Sequence, residues 1–206
     1  MLDSKGFDLW AENYDQSIAD SKGYPFEGYY DVLDYVYNRV VGRAAGSRIL
    51  DIGFGTGALT NRLYKDGAEI YGVDFSGSMI DIAKEKMPRG HFMKADFSKG
   101  LPDALSGKKF DFILSTYAIH HIDNLSKADL IIKLKGLLNN NGKIILADVA
   151  FKTVPDFEKC RRENIDSWDN DEIYMVFEEF ETLLKNKGLI YTYSQISSCA
   201  GVLIVQ

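Results

Sequence analysis

Cysteine is scarce in this chain. There are two in 206 residues, Cys160 and Cys199, and their separation matches no metal-ligand spacing. A reduced, cytoplasmic protein without a disulfide framework is therefore expected. No apolar run approaches the roughly 20 residues that a membrane helix needs. The opening residues, MLDSKGFDLWAENYDQ, lack the charged and apolar regions of a signal peptide. Clustered cations are missing too. Lys84, Lys86, Arg89 and Lys94 are interspersed with Asp81 and Glu85, and the net charge is −6. A phosphate backbone normally calls for a cationic stripe, so no nucleic-acid partner and no membrane partner are expected.

What is present suits one soluble domain over 1–206. Hydrophobic residues make up 46% and charged residues 26%, the balance of a globular core with a solvated surface. Phe7, Trp10, Ala11 and Tyr14 fall at helical spacing. After a loop over 20–28, Val32, Leu33, Val36, Tyr37 and Val40 form one face of a helix over 29–41. Strands and helices then alternate. Strands are predicted at 48–52, 69–73, 91–95, 110–115 and 143–149, with helices after Ala58, after Gly77 (capped by Ser76) and over 126–138. This rhythm predicts a mostly parallel sheet with helices on both faces. A helix is expected over 173–186. Two final strands, 189–196 and 201–205, are joined by a linker too short for a parallel crossover, so they must form an antiparallel hairpin.

Residues 49–57 read ILDIGFGTG. Here an apolar strand runs into a turn with glycines at 53, 55 and 57, and glycine lets the backbone approach a ligand with no Cβ in the way. A nicotinamide loop usually reads G-x-G-x-x-G, which this is not. Asp51, beside the loop, suits an ammonium group or ribose hydroxyls and would repel a pyrophosphate. S-adenosylmethionine offers the ammonium, the hydroxyls and a sulfonium, and has no phosphate.

On these residues the chain resembles the class I S-adenosylmethionine-dependent methyltransferases over nearly its whole length. VDFS (73–76), ADFS (95–98), FDFILSTYAIHHI (110–122) and LLNNNGKIILAD (137–148) are similar to further motifs of that family. The FDxWAxxYD pattern at 7–15 and STYAxHH at 115–121 are similar to a group of small, poorly characterised bacterial methyltransferases. The resemblance implies a Rossmann-like, doubly wound, seven-stranded sheet in the order 3-2-1-4-5-7-6, with one antiparallel strand. It implies that Asp74 takes the ribose hydroxyls, that Asp96 bonds the adenine amino group with Phe97 donating its backbone N–H, and that Tyr14 touches the cofactor.

The cofactor-binding candidates are thus Tyr14, Asp51, Gly53, Gly55, Gly57, Asp74, Phe75, Met79, Asp96, Phe97 and Ser115. Met79 either lines the adenine pocket or packs in the core. Ser115 ends the fourth strand, at the carboxyl edge where such sheets bind ligands. His120, just beyond it, is the candidate catalytic base, with packing of the loop as the plainer reading. No metal is expected, since His120, His121 and Asp123 match no standard ligand spacing. Phe54 is bulkier than the family usually has there; it either narrows the pocket or packs outward. Residues 1–45 read as an aromatic helical lid and 152–172 as a substrate-side insertion.

The reaction implied is in-line methyl transfer from S-adenosylmethionine to a small molecule, leaving S-adenosylhomocysteine (SAH), by a monomer or homodimer. A non-catalytic module that binds either compound is the alternative. A nicotinamide oxidoreductase is weaker, because of the glycine spacing.

Overall fold

The computed structural model describes Asp8, residues 14–21 and residues 23–206, without the side chains of Tyr14 and Asp20. The helix expected around Phe7 and Trp10 lies outside the described residues. The described helices are α1 (Tyr14–Asp20), α2 (Tyr29–Val40), α3 (Thr60–Lys65), α4 (Gly77–Lys86), α5 (Asn124–Lys135), α6 (Val154–Glu163) and α7 (Phe177–Asn186). The strands are β1 (Arg48–Ile52), β2 (Glu69–Asp74), β3 (His91–Lys94), β4 (Phe110–Thr116), β5 (Leu138–Phe151), β6 (Met175–Val176), β7 (Tyr191–Gln195) and β8 (Ala200–Val205).

The sheet runs β3-β2-β1-β4-β5-β8-β7, with β6 attached to the end of β5. Apart from the two-residue β6, this is the expected order. β8 is antiparallel to both β5 and β7, and the other pairings are parallel. Strand alternation divides the core into two layers. Ile49 of β1 packs with α2, α3 and α4 through Val36, Leu63 and Ala83. Leu50 and Ile52, its neighbours on the opposite face, pack with α5 and α7 through Ile131, Leu134, Phe180 and Leu184.

Local chemistry sets the element ends. The Ser76 hydroxyl accepts from the Met79 N–H and starts α4. Asp123 caps α5 through the Ser126 N–H at 2.9 Å. Three elements differ from the sequence expectation. Thr153 caps a ten-residue helix, α6, within the 152–172 insertion, where no helix was predicted; Val154 and Pro155 open its first turn, where proline is well tolerated. The helix expected from Ile173 begins at Phe177, because Met175 and Val176 pair with Ala150 and Phe151 instead. β5 starts at Leu138, five residues early, through a bulged pairing with Phe110.

Candidate active site

β1, β2 and β4 end side by side, and their register sets the site. Asp51 pairs with Gly72 and Leu114, and Ile52 with Val73. The chain then turns at Gly53 (φ +69°), whose N–H donates to the Val73 carbonyl at 2.7 Å. A Cβ on Gly53 would lie 2.4 Å from the Ala118 Cβ, so the β1 turn and the loop after β4 touch only because this residue is glycine.

Around this turn lies a cavity with about 640 Å³ of empty space, open to solvent. Seven of the expected cofactor residues line it: Asp51, Gly53, Gly55, Asp74, Phe75, Met79 and Phe97. Met79 both lines it and is buried in the core. Four other candidates do not line it. Gly57 faces Met87, whose methyl a Cβ would meet at 2.7 Å. The Ser115 hydroxyl is buried and donates to the Ile52 carbonyl at 2.7 Å, tying β4 to β1. The Asp96 carboxylate accepts from the Ser98 N–H at 3.0 Å and pairs with Lys99. His120 lies behind the wall. The Tyr14 side chain lies outside what is described.

Several lining residues were not among the cofactor-binding candidates. Tyr29, Thr56, Tyr117, Ala118 and His121 all contribute. Tyr117 has φ +52°, rare for a non-glycine residue and typical of functional edges. Its ring lies 5.0 Å from that of Tyr29. Its sequence signals were its place after the end of β4 and within STYAxHH. Phe54 also borders the cavity, while its ring packs at 5.1 Å on Phe92. Gly72 makes the room, since a Cβ there would lie 2.6 Å from the Phe54 ring.

Two buried acids dominate the electrostatics, and among the described residues no lysine or arginine lines the cavity. Asp74 accepts the N–H groups of Gly55 and Ser76, both at 2.9 Å. Burial raises its pKa against those bonds. Burial also pushes Asp51 up to about 7, with the Thr60 hydroxyl opposing and the Asp74 charge adding. Thr60 bonds one oxygen of Asp51. The other, Oδ1, is buried with no hydrogen-bond partner among the described residues. An acceptor of this kind suits an ammonium donor, and the Asp74 carboxylate, which also takes the Phe75 N–H, has acceptor capacity left for a hydroxyl. The residues therefore fit a phosphate-free, cationic nucleoside.

Beside the cavity, Asp148 accepts the Nδ1–H of His120 at 2.6 Å. The His120 Nε2 faces Glu172 at 3.4 Å. Burial disfavours the charged ring, but Asp148 and Glu172 outweigh it and raise the His120 pKa. His121, whose ring lies 4.2 Å from that of His120, is held down at about 4 by burial and by its neighbour's charge.

The comparisons with known proteins agree. A methyltransferase-domain family model matches residues 49–142. An uncharacterised methyltransferase from Geobacillus thermodenitrificans is 35% identical over 96% of this chain and 93% of its own. Magnesium protoporphyrin IX methyltransferase from Synechocystis PCC 6803, solved with bound SAH, superimposes with a TM-score of 0.73 at 21% identity, covering 98% of this chain and 94% of that one. With the glycine turn and the paired acids already in place, the chain belongs to the class I S-adenosylmethionine-dependent methyltransferases, within a poorly characterised bacterial group.

Proposed function

We propose that the enzyme methylates a small molecule, with the acceptor entering between the β4 edge and the N-terminal segment. The observation that carries this reading is the cavity itself: acids at its floor, aromatic rings at its wall and, among the described residues, no cation to receive a phosphate backbone. When bound, S-adenosylmethionine supplies a methyl group on a sulfonium, open to in-line displacement by a nucleophile. Asp51 would take the ammonium, Asp74 the ribose hydroxyls, and Phe75, Met79 and Phe97 would enclose the adenine. Asp96 would reach the adenine amino group from the loop after β3.

The protein's contribution is alignment and exclusion of water, which can lower a barrier by roughly 7–11 kcal/mol. Tyr29 and Tyr117 stand where a cation would meet aromatic faces. His120 would act by orienting His121, the histidine that lines the cavity. The N-terminal segment would close as a lid. In support, Thr56 of the glycine loop donates to Asp15 of α1 at 2.6 Å, and Lys86 of α4 pairs with the same carboxylate at 2.9 Å.

Labelled S-adenosylmethionine incubated with fractionated small metabolites tests this proposal. SAH formation with a methylated product of low mass is expected. Turnover only with macromolecules would overturn the substrate class, and SAH binding with no turnover on any fraction would favour a non-catalytic module.

A further inference from the structure

The doublet His120-His121 is met in space by Glu172, 52 residues later in the chain. One ligand atom from each of the three lies within 4.8 Å of the others. Asp123, the acid nearest in sequence, is not part of this group; its carboxylate caps α5.

We propose that His120, His121 and Glu172 bind one divalent transition-metal ion of the zinc class, at the cavity wall formed by His121. Two imidazoles and a carboxylate are a donor set that zinc takes, with at least one of four positions left open. Two ligands at about 2.1 Å from a tetrahedral ion stand about 3.4 Å apart. The His120 Nε2 and a Glu172 oxygen are 3.4 Å apart. His121, only partly buried like Glu172, has to close the remaining gap by side-chain rotation.

The surrounding hydrogen bonds are those that metal ligands use. A ligating histidine gives its other N–H to a carboxylate, which fixes ring and tautomer. Asp148 does this for His120, and is itself held by the N–H groups of Ile119 at 2.8 Å and Val149 at 2.7 Å. Glu172 has the matching support. Tyr174 donates to its second oxygen at 2.6 Å and in turn accepts from Tyr24. The two halves are also joined through backbone. The Ile173 N–H donates to the His120 carbonyl at 2.8 Å, and the buried Lys127 amine donates to the carbonyls of Ile122 and Ile173. These bonds fix the spacing between the His120 and Glu172 halves, so the His121 rotation is the main rearrangement that binding needs. On binding, the ion takes the Nε2 lone pair and any proton there goes to solvent.

The full-length protein, stripped with chelator, is titrated with Zn²⁺ by calorimetry, and a Co²⁺-loaded sample is followed by visible absorption. One ion per chain is expected, with cobalt ligand-field bands of a four- or five-coordinate site. Glu172→Gln and His121→Gln should each weaken zinc by at least about tenfold. Neither carries the buried His120–Asp148 bond, so both are expected to fold. Glu172→Gln, which is outside the cofactor cavity, should still bind SAH, which separates failure here from failure of the methyltransferase reading. No zinc binding, or binding that both variants retain in full, would overturn the proposal and leave His120 and Glu172 as an ion pair only.

Discussion

His120 is anchored to Asp148 by a buried 2.6 Å hydrogen bond, and that bond determines which of two adjacent histidines reaches the cavity. The His120 ring is turned toward the end of β5, which leaves His121 at the wall. Asp148 also gathers backbone N–H groups from Ile119 and Val149. Asp148→Ala should therefore lower stability by about 3–5 kcal/mol, the range for breaking one side of a buried charged pair. Urea denaturation measures this, and a loss below about 1 kcal/mol would mean that the pair contributes little.

Asp74→Ala should weaken SAH binding by about 1.5–3 kcal/mol, since hydrogen bonds to a charged group are lost. The same carboxylate orders the glycine loop through Gly55, so the loss should fall on affinity before it falls on turnover. Calorimetry at one pH is sufficient. Unchanged affinity would remove the ribose contact from Asp74.

Asp51 links cofactor binding to pH. Burial raises its pKa to about 7, and a ligand ammonium beside it favours the ionised form. Affinity should therefore weaken as pH falls below about 7, by up to tenfold per unit, with proton release on binding. Without ligand the sign is opposite. The folded-state pKa exceeds the unfolded value of about 3.9, so stability falls as pH rises from about 4 to about 7. Asp51→Asn should lose both slopes. A pH-independent affinity in the wild type between about pH 5.5 and 7.5 would contradict this.

Gly72→Ala should destabilise the protein by about 1–3 kcal/mol, because its Cβ would press on the rings of Phe54 and Phe92 at 2.6 and 2.8 Å. Phe54→Leu in the same chain should recover part of that loss. A double-mutant cycle by thermal unfolding reads the coupling directly. Purely additive effects would show that the Phe54 ring is not what Gly72 accommodates.

Much of this architecture was legible in the sequence, because the signals were local. The β1 run into Gly53, the Ser76 cap and the short link before Ala200 each act over a few residues. Aromatic Phe54 could not be placed from its own position, since the space it fills is made by Gly72 on another strand. β6 was read as helix because two residues cannot show a period; pairing with Ala150 and Phe151 decides their state. Ser115 had the right strand end, but its hydroxyl serves the Ile52 carbonyl instead of the cavity. Glu172 carried no signal at all. Its meeting with His120 depends on how the chain returns after α6.

The central claim is that the carboxyl edge of this sheet holds a cationic, phosphate-free nucleoside. Titration calorimetry of the purified protein with S-adenosylmethionine, SAH and NADH tests it most directly. One molecule of either adenosyl compound should bind per chain, and NADH should give no heat. Binding of NADH without either adenosyl compound, or silence from all three at high protein concentration, would contradict the account.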